Sequence, residues 1–114
     1  MRNITTLAAH RPGAKPDIFF DRGELNQILR VYGHMVAKGE WRDYAMNGGR
    51  EQAVFSVFRR TSEMPLYSIV KCPKLARKQG AYAIIGMGGQ VLRRGHDLTA
   101  LLRFFDRKRF KVVD

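Results

Sequence analysis

Trp41-Arg42-Asp43-Tyr44-Ala45-Met46-Asn47-Gly48-Gly49 and, after two more residues, Gln52-Ala53-Val54-Phe55-Ser56-Val57-Phe58-Arg59-Arg60 decide the architecture. Two runs rich in aromatic and β-branched residues flank Asn47-Gly48, a dipeptide that tolerates positive φ at both turn positions, so the pair predicts a hairpin with a type I′ turn. Reading outward toward the C-terminus, Thr61-Ser62-Glu63-Met64-Pro65 makes a turn and Leu66 to Cys72 another strand. Pro73 to Gly80 is a longer loop with room for one helical turn. Ala81 to Gly86 and Gln90 to Arg94 form a second tight hairpin across Met87-Gly88-Gly89. Five successive strands with short links predict an antiparallel meander. Gly86 to Gly89 superficially resembles a phosphate-binding loop, but a strand follows where such a loop needs a helix, so a hairpin turn is the better reading.

Helices bracket the meander. Asp21 is a candidate N-cap, with Glu24 three positions on completing a capping box. Leu25, Ile28, Leu29, Tyr32, Met35 and Val36 then recur at helical spacing. Gly39 is placed to end that helix. Upstream, Ile18-Phe19-Phe20 suits an edge strand. Near the C-terminus, Asp97 is the N-cap of a second helix whose apolar stripe is Leu98, Leu101, Leu102 and Phe105. The expected fold class is therefore α+β: a five-stranded antiparallel meander with an N-terminal and a C-terminal helix packed on it.

At 114 residues and 13.1 kDa the chain suits one domain. Its expected limits are residues 17–106, between a flexible N-terminal tail, 1–16, and a basic C-terminal tail, 107–114. No apolar run approaches the ~18–20 residues of a membrane-spanning helix, so no membrane partner is expected. The first ten residues lack the apolar stretch of a signal peptide, which points to a cytoplasmic location. The one cysteine, Cys72, excludes an intramolecular disulfide and a cysteine-based zinc site. His10, His34 and His96 are scattered, and Asp43, Glu51 and Glu63 have no metal-ligand spacing, so no metal or cofactor is expected.

Charge is the compositional outlier. There are 21 Lys and Arg against 10 Asp and Glu, a net +11. Lys71 to Asp114 holds eleven basic and three acidic residues, or +8 of the total. Such a field concentrates polyanions at the surface and speeds their encounter. Lys71, Lys74, Arg77 and Lys78 are the leading candidates. If the loop makes a helical turn, Lys74, Arg77 and Lys78 share a face, and Tyr67 and Tyr82 flank it, able to stack a base. Arg59 and Arg60 end one strand, and Arg93 and Arg94 end another. The plainer reading is a solvated loop whose charges keep a sheet end soluble. Arg103, Arg107, Lys108, Arg109 and Lys111 are a second cluster, which a helix C-terminus also favours through its dipole. His96 could act in a small basic nuclease, against which a capping role is simpler. Lys71 and Lys74 would lower the Cys72 pKa, yet a buried strand-end cysteine is the simpler reading. Trp41 with Tyr44 and Phe55 suits a core anchor better than a partner pocket.

Gly39 to Ala45, Ala53 to Arg60, Ser62 to Tyr67, Lys74-Leu75-Ala76-Arg77-Lys78-Gln79-Gly80-Ala81-Tyr82 and Arg94-Gly95-His96 resemble a family of short basic bacterial proteins, domain-of-unknown-function family 2794. The resemblance spans roughly Ile18 to Phe105. It implies a single domain in the bacterial cytoplasm and carries over no activity, cofactor or catalytic residue.

The leading expectation is an uncharacterised, non-enzymatic protein that binds nucleic acid, RNA or DNA, or a ribonucleoprotein. Phosphate contacts would come from Lys71, Lys74, Arg77, Lys78, Arg59, Arg60, Arg93 and Arg94, with weak sequence preference, since no base-reading motif is present. The rival is an interaction adaptor or homodimer that engages an acidic protein or pairs through its sheet edge.

Overall fold

The computed structural model describes residues 17–60 and 64–113, with side chains described as far as Asp106. The elements run α1 (Arg22–Ala37), β1 (Asp43–Asn47), β2 (Ala53–Phe58), β3 (Tyr67–Lys71), a 3-10 turn (Pro73–Leu75), β4 (Tyr82–Gly86), β5 (Val91–Gly95) and α2 (Leu98–Val113). The five strands form one antiparallel sheet in the order β1-β2-β3-β4-β5, as the meander predicts.

Local chemistry explains both ends of α1. Asp21 Oδ1 accepts from the Glu24 N–H, and Glu24 Oε1 accepts from the Asp21 N–H, each at 2.8 Å, so the capping box is complete. At the other end Gly39 adopts φ +78. Its N–H donates to Val36 O at 2.9 Å, and the Glu40 N–H donates to Met35 O at 2.9 Å. This paired return satisfies carbonyls that the last turn otherwise leaves open. In α2 the Asp97 carboxylate accepts from the Ala100 N–H at 3.3 Å, the expected N-cap. The α2 backbone continues past the expected limit at 106, to Val113. Arg107 to Val113 contain no glycine or proline to stop it, and cations are favoured near a helix C-terminus. The side chains of that basic segment lie outside the described residues, as do the N-terminal tail 1–16 and the turn residues 61–63.

Register decides which face each strand residue shows. Phe55 lies opposite Ile69, and Ile69 opposite Ile84. With Ala53 and Val57 they join Ile28, Met35, Trp41, Leu98, Leu101, Leu102 and Phe105 in one core. Both helices therefore cover the same face, giving two layers. Phe105 is fully buried and meets Trp41 edge to face, with ring centroids 5.0 Å apart. Trp41 is thus a core anchor. Burying a side chain of this size contributes about 2–3 kcal/mol. Val54, Ser56, Phe58, Ser68, Val70 and Ala83 show the opposite face, where Ser56 Oγ and Ser68 Oγ lie 3.1 Å apart. That placement accounts for a β2 strand that is apolar on both sides.

Two local expectations need correction. Neither Asn47 nor Gly48 has positive φ, so the first hairpin is not a type I′ turn. The chain instead opens into a wider loop after Asn47, and Ile18 bridges to Gly49 there. Ile18 N donates to Gly49 O at 2.6 Å, and Gly49 N donates to Ile18 O at 3.2 Å. A Cβ on Gly48 would sit 2.2 Å from the Phe19 ring, so the glycine is required by close approach and not by turn conformation. Ile18-Phe19-Phe20 makes a single bridge and no strand, the Phe19 carbonyl accepting from the Lys71 side chain and not from a strand partner. The second hairpin is as expected, with Gly89 at φ +88 and its N–H donating to Gly86 O at 3.0 Å.

Candidate functional site

The meander sorts the cations between two ends of the sheet. Ala53, Lys71, Tyr82 and Gly95 lie in one cross-strand row, at the end that carries the Pro73–Gly80 loop. Phe58 and Asp43 are paired at the other end, where Arg59 and Arg60 follow. Five residue steps of about 3.3 Å separate the two ends by about 17 Å. The expected single cluster is thus two groups.

At the first end the loop is tightly held. The Leu75 carbonyl accepts from the N–H groups of Lys78, Gln79 and Gly80 at 3.0, 3.1 and 2.9 Å, so the expected helical turn is present. His96 Nδ1 bonds the Ala76 carbonyl at 3.0 Å, which ties the turn to the start of α2. The imidazole is thereby a brace for the loop. Gly80, at φ +109, passes so close to Gly95 that a Cβ would lie 2.4 Å from its backbone. Arg77 and Lys78 are exposed on this rigid turn and have no acidic partner among the described residues. Lys74 Nζ donates to Glu51 Oε1 at 2.9 Å, with the two side chains 70% and 66% exposed. The Glu51 hydrogen bond raises the Lys74 pKa. An ion pair this wet is weakly held and leaves Lys74 open to exchange for another anion.

Lys71 and Tyr82 belong to a different assembly. Lys71 Nζ donates to Glu24 Oε1 at 2.8 Å and to the Phe19 carbonyl at 2.9 Å. Tyr82 OH donates to Glu24 Oε2 at 2.5 Å. Glu24 is buried, and it closes the capping box of α1 with the same oxygen that meets Lys71. Burial pushes the Glu24 pKa up, but hydrogen bonds from Lys71, Tyr82 and the Asp21 N–H together outweigh it and hold the carboxyl below its usual range. Burial, and then the Glu24 hydrogen bond, push the Tyr82 phenol above its ordinary pKa. The trio clamps the first turn of α1 to β3 and β4. Tyr67 is likewise engaged in the core, with its ring centroid 5.2 Å from Phe105 and 6.0 Å from Phe104. Cys72 is half-buried at the start of the 3-10 turn.

At the other end Arg42, Arg59 and Arg60 line a hollow of about 480 Å³ with Val36, Gly39 and Trp41. Arg42 and Arg59 have no acidic partner among the described residues. The Arg42 carbonyl accepts from Tyr32 OH at 2.7 Å, which fixes the backbone on one side of the hollow. Arg42 escaped the sequence reading. Its N–H donates to the Phe58 carbonyl at 2.8 Å, next to Arg59, so the hairpin pairing was the signal that could have found it. Between the two ends, Arg93 lies over the Phe104 ring, 6.0 Å from its centroid, and Arg94 pairs opposite Ala83 on the helix-free face. Among the described residues no group of His, Cys, Asp and Glu could hold a metal ion, and no helix is long and apolar enough to cross a membrane.

These features define a small basic two-layer α+β protein with cations gathered at both ends of one sheet. The chain belongs to the family described as Protein of unknown function (DUF2794), whose model matches residues 18–102, a span that takes in both ends. No curated protein and no solved structure matches the chain.

Proposed function

We propose that this protein is a binding protein of the bacterial cytoplasm that docks on the phosphate backbone of nucleic acid, free or in a ribonucleoprotein. The basic turn makes the first contact through Arg77 and Lys78, with Lys74 exchanging Glu51 for a phosphate. Arg42 and Arg59 make the second, at the opposite end of a sheet whose strands span about 17 Å. Arg93 and Arg94 add positive field between them. Lys71, Tyr82 and Tyr67 take no part, since each is engaged within the fold.

The observation that carries the reading is the rigidity of the turn. Three hydrogen bonds to the Leu75 carbonyl and the His96 brace hold the backbone that presents Arg77 and Lys78, so a phosphate contact has only their side chains to order. Nucleic acid fits better than a compact anion because the cations are spread over both ends of a chain with net charge +11.

Fluorescence anisotropy with labelled RNA and DNA oligonucleotides tests it. Binding at low salt should fall steeply as salt is raised, because each neutralised phosphate releases a counterion. Removing Arg77 and Lys78 together should make the logarithmic salt dependence shallower by about two contacts. Absence of binding to either polymer at low salt would end the proposal.

A further inference from the structure

The two edges of the sheet are built differently. β5 carries Arg93 and Arg94, packs against α2, and has a register shift in its pairing with β4 at Ile84/Ile85. Charges and bulges are devices that stop an edge from accepting another strand. β1 has neither. Asp43-Tyr44-Ala45-Met46-Asn47 contains no Lys, Arg or Pro, and it pairs with β2 through all five residues without a shift. Tyr44 and Met46 are exposed, at 44% and 45%, although both show the face that the helices cover elsewhere.

The composition of this edge is self-complementary. Laid antiparallel against a second copy about a two-fold axis at Ala45, each Tyr44 meets a Met46, each Asp43 meets an Asn47, and Ala45 meets itself. The aromatic–thioether pairs fall on the helix-covered side. The carboxylate–carboxamide pairs fall on the other. In a chain of net charge +11, this strand has one acidic residue and no basic one, so it is a stretch on which two copies can approach without repulsion between like cations.

We propose that β1 is a homodimerisation strand that joins two copies edge to edge, antiparallel about Ala45, into a continuous ten-stranded sheet. The occupant of the edge is a second copy of this chain. Two strands of five residues bury less than the ~1,600 Å² of a standard interface, so the dimer forms in a concentration-dependent way. The inference is independent of the nucleic-acid reading.

Sedimentation velocity on the full chain tests it, with the mass rising from 13.1 kDa toward twice that as concentration increases. The same added charge should act in opposite directions at two exposed positions. Ala45→Lys sets two ammonium groups face to face across the axis and abolishes the dimer. Asn47→Lys sets an ammonium opposite Asp43 and tightens the dimer roughly two- to tenfold. Circular dichroism melts check that both variants fold, and the Asn47 variant suffices if the other does not. A chain that is monomeric at every concentration, or a dimer that Asn47→Lys weakens, overturns the proposal.

Discussion

The Lys71 ammonium lies 2.8 Å from Glu24 Oε1, joining β3 to the first turn of α1 across 47 residues of chain. Both side chains are largely shielded, at 17% and 11% exposure. Lys71 is therefore a structural cation, even though it sits in the most basic part of the sequence. Lys71→Met keeps the stem and removes the charge, leaving a buried carboxylate short of a donor. The cost should be about 1–3 kcal/mol, read from urea unfolding. Oligonucleotide affinity at low salt should stay within about twofold of the wild type, provided the variant is measured where it is folded. The double variant at Arg77 and Lys78 should do the reverse, with weaker binding and an unchanged urea midpoint.

The same assembly sets the pH response. The Glu24 pKa is held below its unfolded value, so the carboxylate contributes stability above the unfolded pKa of ~4.3, and that contribution is lost as pH falls through the folded pKa. Tyr82 behaves oppositely. Its pKa is raised, so its contribution is complete below the unfolded value of ~10 and is lost as pH rises beyond it. Urea midpoints should decline on both sides of a plateau between these limits. Glu24→Gln should flatten the acid side, and Tyr82→Phe the alkaline side. An acid limb that keeps its wild-type slope in Glu24→Gln would assign the loss to other carboxylates.

Two glycines should respond to alanine with opposite signs. Gly80 has φ +109, and a Cβ there would meet Gly95 backbone at 2.4 Å. Gly80→Ala should cost more than about 2 kcal/mol and loosen the basic turn, lowering oligonucleotide affinity as well. Gly33 lies inside α1 with open space around it. Gly33→Ala should add about 0.5–1 kcal/mol through helix propensity alone. Thermal melts of the two variants, shifted down and up respectively, check the pair.

Phe105 packs against Trp41, Tyr67 and Phe104, with centroids 5.0 to 5.2 Å away. Phe105→Ala removes the ring that α2 inserts into the sheet layer and should cost about 3–5 kcal/mol. The chain has one tryptophan, so the fluorescence of Trp41 reports the loss directly in a denaturant titration.

Much of the fold was legible because its signals are local. Asp21 and Glu24 are three residues apart, and their capping box follows from that spacing. Leu98, Leu101, Leu102 and Phe105 mark the buried stripe of α2 by helical period alone. The strands and their order follow from short links, because chains joined by tight turns pair with their neighbours. The first hairpin failed where the signal ceased to be local. Gly48 and Gly49 look like turn glycines until Phe19 and Ile18, some thirty residues upstream, are seen to pass against them.

The candidate site divides in the same way. Composition determined that this is a basic protein, and the run from Pro73 to Gly80 determined an exposed turn bearing Lys74, Arg77 and Lys78. Only the tertiary structure decided which cations stand free. It spent Lys71 and Tyr82 on Glu24, sent Arg59 and Arg60 to the far end of the sheet, and brought Arg42 beside them. The physical reason is that charge is a property each residue carries alone, whereas availability depends on what lies within about 4 Å, and for these residues the neighbours come from strands and helices distant in the chain.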